Sequence, residues 1–332
     1  MRNILCVTLI ALLGGCTSTS VTEKYQDKRN DIINVKDKVI EFETGNVLIG
    51  SVSRLYMSNK CLLIADHKSV DKQIHIFNKN DFSYLTSIGN FGEGPEEITV
   101  MGCLAIDEAH HQLYVSDHAK QKIFSYDMDS VMVDSLYKPQ VKTAMNETLF
   151  PSEYQYINDT LSIAVLIKPT STSTFNQFLG RWNMNTGEMI PMKYTHPDIQ
   201  KKRITFAASE KAGIYVECYT RHDLMTICSL DGELLYNIYG PDWDGGNGNK
   251  LQSFGTVMIG NDKIFVSYCG DDYARDSFPT KILVFDLEGN YLKTLETGYK
   301  ISDCCYDSFN NRIILSLNDV VQFAYLDIDG II

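Results

Sequence analysis

Two dipeptides are the first residues in this sequence to suggest chemistry: Asp66-His67 and Asp117-His118 each set a carboxylate beside an imidazole. Such neighbours suit metal ligation or acid–base work, because imidazole titrates near neutrality and both groups take divalent ions. Further candidates are Arg221-His222, the run Gly270-Asp271-Asp272-Tyr273-Ala274-Arg275, and the acids Glu93 and Glu96. Asp242-Trp243-Asp244 opens a Gly/Asn-rich stretch ending at Asn249, whose spaced acids invite a calcium reading. The EF-hand pattern fails for want of a Glu at its closing position, so a linker carrying an exposed Trp243 fits better. Gly92-Glu93-Gly94-Pro95 lacks the lysine and the helix that a phosphate cradle needs. No Gly-x-Ser-x-Gly elbow, His-Glu-x-x-His pair or Walker loop occurs, and no cysteine has the His arrangement of a nucleophile.

The elements that must position these residues repeat. An apolar segment recurs at Leu62, Leu113, Leu161, Ile214, Ile264 and Ile313, with starts 51, 48, 53, 50 and 49 residues apart. Each is followed by a second strand-like run, such as Ile74-His75-Ile76-Phe77 or Ile282-Leu283-Val284-Phe285. An Asx- or Gly-containing turn comes next, for example Asn78 to Asp81, Asp127 to Ser130, or Asp286 to Gly289. These residues accept the positive φ of tight hairpins. The first run is apolar on both faces instead of alternating, which requires cover on both sides. Sheets of four antiparallel strands fanned around an axis give that cover, so an all-β, six-bladed β-propeller over residues 38–332 is expected.

The chain ends at Ile332, just after its last hairpin turn, leaving the sixth unit one strand short, while Lys38 to Glu43 is an unpaired alternating segment near the start. That segment is expected to complete the last blade. With strands lettered A to D from the axis outward, the B–C and D–A loops share one loop-rich face. It should carry His67, His118, Arg221, His222, Asp242, Trp243, Asp271, Asp272, Arg275, Glu93 and Glu96. The Asp-His pairs hold equivalent places in neighbouring repeats, which favours Asp bonding the B–C turn amides while each His is exposed. His110-His111 falls in an A–B turn on the plain face, solvated.

Two stretches resemble a known family. Leu113 to Asp127 resembles an NHL-type propeller repeat, as does Leu62 to Asn78. Phe91-Gly92-Glu93-Gly94-Pro95-Glu96-Glu97 resembles the Gly-x-Gly-Pro-Gly-Glu loop of TolB-like and NHL-like six-bladed propeller lipoproteins, with Glu96 where the family has glycine. The resemblance implies a fold more than a job, since family members are mostly of unknown function.

Composition supplies the address. The 332 residues carry 30 basic and 42 acidic side chains, a net charge of −12, which argues against nucleic acid as a partner. Ile4 to Leu13 is apolar, too short to span a bilayer, and ends in Leu13-Gly14-Gly15-Cys16, which resembles a lipobox. Residues 1–15 are therefore expected to be a signal peptide, Cys16 the lipidated residue, and residues 16–37 a flexible spacer. The seven cysteines beyond Cys16 show no Cys-x-x-Cys spacing and sit in strand-like stretches, so a disulfide is not required.

The leading expectation is a monomeric, lipid-anchored, non-catalytic binding or scaffold module, taking a protein or glycan through the loop-rich face. Its place is the cell envelope, with the periplasmic side of the outer membrane favoured because Thr17-Ser18-Thr19-Ser20 lacks an acidic run. No cofactor is expected. The alternative is a hydrolase or lyase resembling calcium-dependent lactonases or propeller lyases, with Ca²⁺ in the central tunnel and Glu97, Glu153 and Asp303 as candidate ligands.

Overall fold

The recurrent apolar runs form largely buried strands, and Cys61–Asp66, Ile214–Tyr219 and Arg312–Leu317 are buried at every position. The computed structural model describes residues 22–134, 136–246, 250–275 and 277–332. The signal segment and Cys16 lie outside the described residues.

Each run is strand B of a four-stranded antiparallel blade. Blade 1 is Ser53–Met57, Cys61–Asp66, Lys72–Asn78 and Tyr84–Asn90. Blade 2 is Met101–Asp107, Gln112–Asp117, Lys122–Asp127 and Gln140–Ala144. Blade 3 is Phe150–Asn158, Leu161–Pro169, Phe175–Trp182 and Met189–Pro191. Blade 4 is Ile204–Ser209, Ile214–Tyr219, Leu224–Ser229 and Leu234–Tyr239. Blade 5 is Leu251–Gly260, Lys263–Asp272, Lys281–Asp286 and Tyr291–Glu296. Blade 6 has Ile301–Asp307, Arg312–Leu317 and Phe323–Asp327.

The missing outer strand of blade 6 is Val39–Glu41, antiparallel with Leu326 opposite Val39 and Ala324 opposite Glu41. First and last segments are thus zipped into one sheet, as the alternating pattern predicts. Apolar clusters fill the gaps between adjacent blades. Leu63 and Ile76 of blade 1, for example, meet Leu104, Val115 and Phe124 of blade 2. Another cluster closes the circle between blades 6 and 1 through Ile314, Phe323, Leu55 and Ile64. Each such side chain, fully buried, contributes about 1.5–3 kcal/mol of transfer free energy.

Two expectations need correction. Residues 22–37 are not a flexible spacer: Glu23–Tyr25 adds in parallel to the outer strand of blade 4, and Ile32–Asn34 adds in parallel to that of blade 5. Between them Arg29 reaches Asp223 of blade 4, and Val35 is fully buried against blades 5 and 6. This strap needs no long apolar run of its own, because the blades already present an edge with unpaired backbone groups. The second correction is local. Asp127 to Ser130 is not a tight hairpin turn, because the Asp127 side chain accepts the Ser130 amide at 2.7 Å and caps the short helix Met128–Val133. The seven described cysteines are all free, and six of them are buried.

Candidate functional site

The six A strands surround a central channel of about 1560 Å³. Their register breaks near the loop-rich end, between Met101 and Leu104, Pro151 and Glu153, Phe254 and Val257, and Ile301 and Asp303. Such bulges re-aim side chains. Here they sit beside Glu153 and Asp303, and in blade 2 Ser116 meets the break by accepting the Cys103 amide at 2.9 Å and donating to its carbonyl.

The polar groups of the channel link blade to blade. Arg54 of blade 1 bonds Glu153 of blade 3 at 2.8 Å, spanning the position of blade 2. Gln155 of blade 3 accepts the Ala208 amide of blade 4 at 2.6 Å. Thr205 of blade 4 donates to the Gly255 carbonyl of blade 5 at 2.6 Å, and Thr256 of blade 5 donates to Asp303 of blade 6 at 2.6 Å. Asp303 also accepts the Leu55 amide at 2.8 Å, returning the circuit to blade 1. Burial raises the pKa of Asp303 despite these bonds. Burial opposes the charge of Arg54, but Glu153, Tyr56 and Asp303 together hold its pKa above the ordinary value.

Of the three suggested metal ligands, Glu153 and Asp303 therefore face the channel and Glu97 does not. Glu97 folds back into its own loop and accepts the Gly94 amide at 2.8 Å. Calcium wants six to eight oxygens, and the channel carboxylates are instead committed to different partners. Among the described residues, the group whose ligand atoms lie within 4.8 Å of one another is Asp107, His110 and Asp159. It lies on the plain face, where His110 Nδ1 bonds Asp107 at 2.8 Å. The residues present do not fit a tunnel metal.

His67 and His118 stand at the loop-rich mouth of the channel. Their companions do cap the turns: Asp66 accepts the Lys68 and Gly50 amides, and Asp117 accepts those of Ala119, Lys120, Thr99 and Val100. The imidazoles, however, are half-buried and not exposed, and that of His118 lies against Gly102 of the inner strand of blade 2. The other predicted residues scatter around the same face. Glu93 is exposed, and Glu96 pairs with Lys138 at 2.7 Å. Arg221 stacks on Tyr273, and Arg275 pairs with Asp271, which also accepts the Asp272 amide. Asp242 accepts the Tyr268 hydroxyl at 3.2 Å. Trp243 is not a free aromatic: it is half-buried among His196, Tyr239 and the buried His222. Asn247 to Asn249 lie outside the described residues.

Sequence reasoning missed Arg54, Gln155, Thr205 and Thr256. Their signal was faint but present: polar or small residues such as Ser53-Arg54, Ser152-Glu153 and Ser302-Asp303 interrupt the start of strands that are otherwise apolar.

Burial lowers the pKa of His67, His75, His118, His196 and His222. Below about pH 6.5 the unfolded chain takes up protons that the folded one refuses, so stability present above that pH is lost as pH falls. His110, raised by its bond to Asp107, opposes this but is exposed. Asp223 and Asp303 are raised by burial, so they favour the folded state as pH falls, but towards the carboxylate range. Melting temperature measured from about pH 7.5 to 5.5 should decline; a rise would contradict the neutral, buried imidazoles.

Residues 17–176 match the model of a family described as DUF5128, 6-bladed beta-propeller. The chain is a six-bladed β-propeller. A Bacteroides fragilis structure carrying the description exported protein aligns at 13% identity and TM-score 0.58, over 89% of this chain and 87% of that one. A DUF4221 member from Bacteroides vulgatus aligns at 10% identity and TM-score 0.60, over 90% and 98%. The Cps50 (Swd1) propeller domain of Myceliophthora thermophila aligns at 9% and 0.53, over 85% and 98%. At these identities the likeness concerns the propeller fold alone. No curated protein matches the sequence.

Proposed function

We propose that this propeller is a non-catalytic binding module, tethered in the cell envelope through lipid on Cys16, that receives a protein or glycan partner on its loop-rich face. One observation carries the reading. Loops of blades 6 and 1 on this face carry Val320, Leu48 and Val70, 99%, 94% and 81% exposed, and the exposed Val52, Phe91 and Val100 line the channel mouth. Exposed apolar side chains on the loops of one face suit a contact surface. The plain face also exposes Val133, Leu136 and Phe309, but apart from the helix Met128–Val133 its connections are short, and among the described residues no channel mouth lined by exposed apolar residues accompanies them.

The metal-dependent hydrolase alternative loses support, because Glu153 and Asp303 serve the blade-to-blade circuit. The test is capture of envelope partners or glycans by wild type and by a Leu48→Ser, Val70→Ser, Val320→Ser triple variant. These side chains are already in water, so folding should change by no more than about 0.5 kcal/mol each. Recovery should fall at least about tenfold, as loss of a few central apolar contacts typically does. Unchanged recovery would reject this rim as the binding surface.

A further inference from the structure

Two turns on the plain face bring metal-ligating side chains together across a blade boundary. Asp107 ends the inner strand of blade 2, and His110 stands in the turn that follows it. Asp159 stands in the corresponding turn of blade 3, between Phe150–Asn158 and Leu161–Pro169. One ligand atom from each of the three lies within 4.8 Å of the other two. His110 Nδ1 is 2.8 Å from Asp107 Oδ2 and 3.8 Å from Asp159 Oδ1. Around a tetrahedral ion with bonds of about 2.1 Å, neighbouring ligand atoms stand about 3.4 Å apart. The two separations lie on either side of that value.

The surroundings hold the set in place. Tyr114 donates to Asp107 Oδ2 at 3.1 Å, and Tyr156 donates to Asp159 Oδ1 at 2.7 Å. Ligating carboxylates are characteristically fixed by such outer hydrogen bonds, and each oxygen keeps a second lone pair for an ion. The other oxygen of Asp107 accepts the His110 amide at 3.1 Å, so the turn itself decides which oxygen meets the imidazole. Asn185 anchors the Asp159 turn by donating to its carbonyl at 2.8 Å. The Asp107 side chain is 1% exposed, against 56% for His110 and 63% for Asp159. The three therefore form a shallow cup, with a buried carboxylate as its floor and one side open to water. Lys142, the neighbouring ammonium, lies over the Tyr114 ring at 5.4 Å, and among the described ion pairs it joins neither carboxylate.

We propose that Asp107, His110 and Asp159 bind one divalent transition-metal ion of the zinc class, which clasps blade 2 to blade 3. One imidazole nitrogen with two carboxylate oxygens suits such an ion, whereas calcium takes six to eight oxygens. The ion replaces the proton that His110 Nδ1 shares with Asp107, and that proton passes to water. Two carboxylate charges then meet a doubly positive centre, and water completes the shell on the open side. The inference goes beyond the binding-module reading and concerns the opposite face, so the two stand or fall separately.

The experiment titrates zinc chloride into the untagged protein by calorimetry. One ion per chain should bind. His110→Gln and Asp159→Asn should each weaken that binding at least about tenfold, since loss of an outer hydrogen bond alone costs about 10–100-fold. Both side chains are exposed and both replacements stay polar, so the fold should survive them. His111→Asn is the control: His111 is the next residue, but it pairs with Asp129 at 2.7 Å. Asparagine also accepts the positive φ of that position, and zinc binding should be unchanged there. Zinc should raise the unfolding temperature of wild type and of His111→Asn, but not that of Asp159→Asn. Cobalt in place of zinc should give the visible absorption of a four-coordinate ion, which loose surface adsorption does not. Absence of binding at about 100 µM zinc, undiminished binding in the His110 and Asp159 variants, or calcium binding tighter than zinc would overturn the proposal.

Discussion

Arg29→Ala should destabilise the propeller by about 3–5 kcal/mol, the usual consequence of leaving one member of a buried ion pair alone. Arg29 and Asp223 are joined at 2.8 Å with side chains only 6% and 0% exposed. The guanidinium also lies 5.5–5.7 Å from the ring centres of Phe254, Tyr268 and Phe285, so truncation removes packing together with charge. Asp223 keeps only the Asp242 amide at 3.2 Å and the Tyr268 hydroxyl at 3.4 Å. Burial already raises its pKa with Arg29 in place, so without Arg29 it should take up a proton. The variant's deficit should therefore shrink as pH falls into the carboxylate range, because the neutral acid tolerates burial. Urea midpoints across pH measure this. The double variant Arg29→Met, Asp223→Asn should be more stable than Arg29→Ala, since no charge is stranded. An Arg29→Ala protein within about 1 kcal/mol of wild type would show that the strap is not fastened at this point.

The contrast between that residue and the repeats explains what could be read from sequence. Strand B of each blade was legible because its burial on two faces writes itself as a continuous apolar run, and Leu62-Leu63-Ile64-Ala65 admits little else. The C–D hairpins were legible through turn chemistry, except at Asp127, where the same Asp can end a strand or cap a helix. The strap was not legible. Three-residue strands such as Glu23–Tyr25 carry no period of their own; their partner is the edge of a distant blade, Leu234–Tyr239. Arg29 in a polar stretch looks like any solvated charge until Asp223 is brought beside it.

The channel was half-legible for a similar reason. Glu153 and Asp303 could be aimed at the axis from repeat position alone, but the bulges beside them depend on cross-strand pairing. Glu97 went astray because Gly92 and Gly94 leave room for its carboxylate inside the loop. Trp243 looked exposed because its neighbours His196 and His222 come from a different loop and a different turn. Side-chain circuits that cross from blade to blade leave no local pattern, and those circuits decide what is free to bind.

The closing strand carries the larger consequence. A chain beginning at Thr44 should show no cooperative unfolding transition, whereas one beginning at Asp37 should fold, weakened by loss of the strap. The difference lies in Val39–Glu41 and Phe42. Phe42 is 8% exposed, stacks on Phe82 with ring centres 3.9 Å apart, and donates its amide to the Phe323 carbonyl at 3.1 Å. It also belongs to the cluster that joins blade 6 to blade 1 through Leu55, Ile64 and Ile314. Phe42→Ala alone should cost about 3–5 kcal/mol, as truncation of a buried aromatic does. Removing the whole strand adds an unpaired edge along Phe323–Asp327 at the one joint where the circle closes. In a ring each blade is held by two neighbours, so opening that joint exposes two blade faces at once and loosens both. Calorimetry on the two truncations separates the contributions. A sharp transition from the chain starting at Thr44 would mean that the clusters between blades hold the circle without the zipped strand.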